Sequence, residues 1–293
     1  MISRVTDQMI LSNSQANLQT QLQQLSVLQN ESSSGKAITK PSDNPSGLAL
    51  SLALKRQQSA NTQYANNATD ANNWLTSVSG ALSSSVNALQ IVRSLVVGAG
   101  DATLSATAKA SIVSQLQGLK TSLLSQANTK YLGRPVFAGN SDGAAFDDAS
   151  YAYNGTAGAT VTRQIGDTAS VSVSGDGAAT YGTGSNSIFA LLDNIVSGIQ
   201  AGTSMSGNLT AIDSHISAFS NQQSMVGASY NQVQTGQAVL TIQAANLTSQ
   251  RSDIDNVDLT KSLVELSAQQ NAYQAALGVT SKALQPTLMS FLR

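Results

Sequence analysis

Leucines recur every seven residues at one end of this chain and apolar residues follow a helical period at the other, and that placement constrains the fold more than any other feature. Leu11, Leu18 and Leu25 form the first seam, with Leu22 at the offset position that a two-helix seam requires. Far downstream, Val226, Val233, Leu240, Leu247 and Ile254 repeat the spacing. Leu263, Leu266, Tyr273, Leu277, Leu284 and Phe291 then keep a three-then-four rhythm up to the carboxyl terminus. A Gly-rich stretch with strand-like character sits between the helical ends, so the pattern describes a rod that runs out, turns over and comes back. Chain ends are ordinarily the least ordered parts of a domain. Apolar seams placed there imply that the ends pair with each other or that another copy covers them. Function is therefore to be sought in assembly.

At 293 residues the chain has room for two or three domains and a sizeable core. Only 11% of the residues are charged and 4% aromatic, so solubility rests on Ser, Thr, Gln and Asn rather than on charge. A formal net charge of -1 supplies no basic patch, which argues against nucleic acid and against an anionic membrane surface as partners. No apolar run approaches the roughly 18 residues that a membrane-spanning helix needs. Met1 to Arg4 is not followed by the apolar stretch of a cleavable secretion signal. The absence of cysteine suits a cytoplasmic protein and equally a protein that must stay free of cross-links during export.

Along the chain, residues 3 to about 34 read as a first helix, stopped by Gly35. Pro41 and Pro45 force the segment from 35 to 46 out of the helix, and Ser42 or Asp43 is placed to cap the next one. Gly47 to Val97 contains no proline and carries Leu75, Val78, Leu82, Val86, Leu89 and Val96 at helical spacing. A continuous helix there would be about 75 Å long at ~1.5 Å per residue, which predicts an elongated molecule. A break at Gly98 to Asp101 precedes a helix with Ile112, Leu116, Leu119 and Leu123 on one face, predicted to end near Tyr131 to Pro135. Val136 to Tyr181 reads as a small antiparallel β region, with strands expected over 160–165 and 169–173 and a tight turn at Asn154-Gly155. Helical spacing returns from Ser187, and a long last run is predicted from 208 to about 252.

Three stretches of sequence carry a family resemblance. SSGKAITKPSDNPSG (Ser33 to Gly47) resembles the loop after the first helix in the bacterial flagellin superfamily, with Ser34, Gly35, Pro41, Ser42, Asp43 and Pro45 as its marks. The PSDNP form is more similar to the members at the hook-filament junction than to filament flagellin, where an alanine- and aspartate-rich version is usual. The segment Asp253 to Arg293 is similar to the superfamily's terminal helix throughout, and YLGRPVFAG (Tyr131 to Gly139) and Ile2 to Met9 agree. The resemblance covers both helical arms, and the β insert only by position. It implies a mainly α fold: an elongated flagellin-like rod of long antiparallel helices with terminal coiled-coil arms and a small inserted β domain. Residues 1–40 with 258–293 would form the inner coiled-coil domain, 41–138 with 187–257 the helical rod, and 139–186 the outer β domain.

The same resemblance implies a structural protein in a ring between the hook-associated protein on the hook side and the first flagellin subunits of the filament. It implies export without a cleaved signal, with an export chaperone and the flagellar export apparatus as transient partners. The arms 3–34 and 258–293 are expected to pair antiparallel. A filament flagellin and a secreted coiled-coil effector are the competing readings; the PSDNP loop speaks against the first and the lack of an apolar hairpin against the second.

Catalytic and metal-binding readings find little support. His215 is the only histidine and there is no cysteine for a zinc site, so a helix-surface role is expected. No Gly-x-Ser-x-Gly elbow accompanies it. Asp253, Asp255 and Asp258 resemble a calcium loop only loosely, because Val257 takes a ligand position and Asp258 the position that needs glycine; capping of the last helix is expected instead. Trp74, the sole tryptophan, sits beside Leu75 and is expected to be buried between helices. No catalytic, cofactor or metal residue is expected.

Overall fold

A computed structural model describes residues 2–101, 104–203 and 206–283, and within them the chain is mainly α-helical. The helices are α1 (Ile2–Ser34), α2 (Pro45–Ala99), α3 (Ala106–Ala127), α4 (Gly177–Tyr181), α5 (Ile188–Ala201), α6 (Ser206–Asp255) and α7 (Leu259–Ala283). Two antiparallel strand pairs interrupt them: β1 (Lys130–Tyr131) with β2 (Arg134–Pro135), and β3 (Thr162–Gln164) with β4 (Ser170–Ser172). The chain groups into two compact units, Met1–Ala60 with Ala244–Arg293, and Asn61–Gln243.

The ends of the helices follow from local chemistry. Gly35 closes α1 at φ 68°, a conformation that costs glycine little. The cap of α2 is Asn44 rather than Ser42 or Asp43: its side-chain oxygen accepts from the Gly47 N–H at 2.8 Å. Pro45, which lacks an N–H, takes the first helical position, and this shifts the cap one or two residues later than the sequence suggested. The Asp43 carboxylate instead closes the loop on itself, accepting from the Lys40 N–H at 2.7 Å and from the N–H and hydroxyl of Thr39. Those bonds, the Lys40 amide foremost, hold its carboxyl below the usual carboxylate range. Ser187 caps α5 through the Ala190 N–H, and Asp258 caps α7 through the N–H groups of Thr260 and Lys261.

The larger unit holds the core. Tyr181 lies at its centre with no exposed surface, ringed by Phe137, Phe146, Phe189 and Phe219 at centroid distances of 4.8 to 5.9 Å. Its hydroxyl shares a 3.0 Å hydrogen bond with Ser85 of α2, so the buried phenol is not left unpaired. Trp74 is buried, as its neighbours in sequence suggested, with the Tyr131 ring 5.4 Å away and the Arg163 guanidinium 5.2 Å above its face. Asp70 ties that corner together, accepting from Arg163 at 2.6 Å and from the Tyr131 hydroxyl at 3.0 Å.

Three expectations fail in the insert. The helix predicted to reach Tyr131 stops at Ala127, because Asn128 caps it and Tyr131 to Arg134 turn over as a tight hairpin. The β3 and β4 strands are shorter than 160–165 and 169–173, although their antiparallel register carries on past both ends: the Val173 N–H donates to the Val161 carbonyl at 2.8 Å and the Ile165 N–H to the Ala169 carbonyl at 2.9 Å, while the Val161 N–H turns to the Ser174 hydroxyl. Asn154-Gly155 is not a left-handed turn, as neither residue has positive φ. Gly155 is required for another reason: a Cβ there would lie 2.5 Å from the Tyr153 ring and 2.7 Å from the Ala138 carbonyl oxygen.

Tyr153 supplies a test of this packing. Burial first, then the nearby Asp176 carboxylate, push its phenol up to about 12, and its hydroxyl donates to the Phe137 carbonyl at 2.9 Å. An unfolded tyrosine ionises at about 10. The folded state therefore holds the proton more tightly, and the stability that this contributes is complete below pH ~10 and lost as pH rises towards ~12. Melting temperature measured across that range should fall steeply, and Tyr153→Phe should make the fall shallower. An unchanged slope in the variant would contradict the assigned environment.

Candidate functional site

The smaller unit has almost no core of its own. Among its described residues Leu54 is the sole large apolar side chain that is fully buried; the others fully buried are Ser51 and Ser262. A unit whose helices are this thinly packed has little local free energy holding it together.

Its organisation starts at the two places where the chain leaves a helix. The loop after α1 and the loop after α6 meet as an isolated antiparallel bridge between Lys36 and Asn256. The Ala37 N–H donates to the Asp255 carbonyl at 2.9 Å, and the Val257 N–H to the Gly35 carbonyl at 3.1 Å. Arg251 braces the end of α6, donating to Asp255 at 2.9 Å and to Gln58 of α2 at 3.3 Å. Both helix breaks are thereby stitched side by side, and α1 and α7 leave the stitch as an antiparallel pair.

Three polar contacts fix the register of that pair. The Ser32 and Ser262 hydroxyls meet at 2.7 Å. The Gln269 amide donates to the Gln21 carbonyl oxygen and to the Gln24 side-chain oxygen, both at 3.3 Å. Leu18, Leu25, Leu266 and Tyr273 are half-buried along it. Leu22, Leu263 and Leu277 remain exposed, at 46%, 53% and 43%. The backbone of Leu11 belongs to α1, but its side chain, like Leu284 and Phe291, lies outside the described residues. One seam position is polar and unpaired: the Gln21 side-chain oxygen is buried without a hydrogen-bond partner.

The loop residues singled out in the sequence lie beside the stitch. Ser34 ends α1 and its hydroxyl accepts from the Lys36 N–H at 3.3 Å. Gly35 makes the left-handed turn, Pro41, Ser42 and Asp43 form an exposed turn, and Pro45 opens α2. Sequence reasoning passed over Asn44 and the bridge at Lys36, although an asparagine directly before a proline is itself a cap signal. It also passed over Val27, Val264 and Val279, exposed at 51%, 66% and 68% and out of step with the seven-residue repeat. These widen the apolar surface beyond a single stripe.

This surface carries little charge. The charged groups described on α7 are Lys261, Glu265 and Lys282, and the first two pair at a loose 3.8 Å. Among the described residues no three of His, Cys, Asp and Glu gather as a metal site would need. No described helix is long and apolar enough to cross a membrane. His215 is half-buried on α6, and desolvation lowers its pKa, so it favours the neutral form.

Comparison with known proteins bears on the same segments. Residues 5–142 match the bacterial flagellin N-terminal helical region and residues 209–292 the bacterial flagellin C-terminal helical region. The flagellar hook-associated protein 3 of Salmonella typhimurium is 27% identical, over 93% of this chain and 94% of that protein. Its namesake in Escherichia coli is 25% identical, over 83% and 85%. Among solved structures, FlgL of Bacillus cereus superposes with a TM-score of 0.59 at 20% identity, covering 68% of this chain and 99% of that one. Flagellar hook-associated protein 3 of Legionella pneumophila superposes with a TM-score of 0.60 at 17% identity, covering 68% and 98%.

Proposed function

Because the chain belongs to the bacterial flagellin family, we propose that it is a structural subunit of the flagellum, forming the junction ring that connects the hook-associated zone to the flagellin filament. The observation that carries this reading is the terminal helix pair, joined through its own register contacts yet with leucines of both helices left in water. A ring of copies placing these pairs around a common axis would cover them, and the free energy of ring formation would come from that burial. The role is architectural rather than catalytic.

Its partners are then other copies of itself, the hook-associated protein on the hook side and flagellin on the filament side, with an export chaperone and the flagellar export apparatus before assembly. It reaches the outside of the cell through that apparatus. In the assembled state residues 1–40 with 258–293 form the inner coiled coil, 41–138 with 187–257 the rod, and 139–186 the outer β domain. The neutral, weakly charged surface supports close packing of identical subunits, since like charges do not accumulate as copies are added.

Deleting the gene tests the proposal. The deletion strain should build hooks, release flagellin into the medium and fail to swim, and the wild-type gene should restore filaments. A deletion strain with full filaments would remove the reading.

A further inference from the structure

Leu132 stands out on two independent grounds. At 82% exposure it is the most exposed large apolar side chain among those described. It also has φ 48°, and Gly133 beside it φ 82°, so both central residues of the β1–β2 hairpin are left-handed. That turn favours Asn, Asp or Gly at its first position, and a leucine there is both strained and wasted on solvent unless something meets it. The hairpin is held firmly behind its tip. Tyr131 packs on Trp74 and donates to Asp70, Arg134 pairs with Asp142 at 3.2 Å, and Pro135 to Ala138 are buried. The knob is therefore presented in one position and loses little freedom on binding.

A groove of about 580 Å³ lies between α2 and α6 in the same unit. Val226 and Tyr230 supply its apolar surface, and Gly80 and Gly227 its room, since a Cβ added at either glycine would meet nothing within 4 Å. Ser83 and Gln223, hydrogen-bonded to each other at 3.2 Å, are its polar lining and can turn to backbone groups of an entering turn.

We propose that Leu132 seats in the α2/α6 groove of a second copy. The inference rests on the ring-forming role argued above and adds to it the contact made by the rod. The groove contains no hairpin residue, so the contact joins two different patches and runs head to tail, the kind that closes into a ring or continues as a helix. A leucine and its turn bury far less than the roughly 800 Å² per partner of a stable pair. The occupant is accordingly a neighbouring copy already held by other contacts, and the protein in dilute solution stays monomeric.

Leu132→Asn separates this role from folding, because asparagine suits the left-handed turn. The purified variant should melt no lower than wild type, while filament-bearing cells in the deletion strain fall at least tenfold. Cross-linking identifies the occupant. The chain has no cysteine, so Leu132→Cys and Gly227→Cys copies expressed together should give covalent dimers on oxidation of assembled flagella, and neither variant alone should do so to the same extent. Wild-type assembly with Leu132→Asn fully active overturns the proposal, as does loss of assembly with no mixed cross-link. Failure of the wild-type gene to restore filaments strikes the junction reading itself.

Discussion

Replacing Leu18 and Leu25 together by aspartate should abolish filament attachment while leaving the melting of the larger unit untouched. The two leucines are half-buried in the free chain, on the side of α1 that faces α7. If assembly completes their burial at about 1 kcal/mol each for the part still in water, the double variant loses about 2 kcal/mol per copy, or roughly thirtyfold in association. Unpaired carboxylates placed in a covered seam would deepen the loss. Gln23→Asp, on an exposed position of the same helix, should have little effect and controls for charge alone. The readouts are swimming in the complemented deletion strain and calorimetry of the purified protein. Full motility in the double variant would show that this seam is not the assembly surface.

The expectation of an unchanged melt depends on how the chain is divided. Leu18 and Leu25 belong to Met1–Ala60 with Ala244–Arg293, whereas the aromatic core belongs to Asn61–Gln243. A unit with Leu54 as its one fully buried large apolar side chain among the described residues contributes little to a cooperative transition.

Long helices were the most legible part of the sequence. Period and stop signals place α1 within a residue of its observed span and α5 at its observed cap, because Gly35 and Ser187 act on their immediate neighbours. Capping before α2 was misread by one or two residues, since Ser42, Asp43 and Asn44 are all good caps and only the position of Pro45 decides among them. Strand boundaries in the insert were less legible. Backbone groups there are satisfied by side chains distant in sequence, as where the Asn128 amide both donates to and accepts from the backbone of Phe146. Such bonds leave no local period to read.

The terminal surface was legible as a stripe but not in its width. Leu18, Leu22, Leu25, Leu263, Leu266, Tyr273 and Leu277 announce themselves by spacing, whereas Val27, Val264 and Val279 fall off the repeat and their exposure depends on what the partner helix fails to reach. Leu132 was hidden for a different reason. A leucine beside Tyr131 looks like the end of a helix until the backbone turns left-handed.

The aromatic cluster around Tyr181 could not have been read from the sequence at all, and removing a member should give the largest stability change in the molecule. Its rings come from Phe137, Phe146, Phe189 and Phe219, on four separate stretches of chain that only the fold brings together. Phe189 has no exposed surface and touches the rings of Phe146, Tyr151 and Tyr181 at 5.4, 5.6 and 5.9 Å. Phe189→Ala should cost about 3–5 kcal/mol, because transfer energy is lost and a cavity remains where neighbouring rings cannot collapse. For a unit of this size that corresponds to a fall of about 10 °C in melting temperature. Tyr181→Phe should be milder, near 1 kcal/mol, since it keeps the ring and leaves only the Ser85 hydroxyl without its partner. Thermal unfolding of both variants measures the contrast. Were Phe189→Ala to melt within a degree or two of wild type, the cluster would not be what holds the larger unit rigid, and Leu132 would lose the fixed base from which the proposed contact reaches a neighbour.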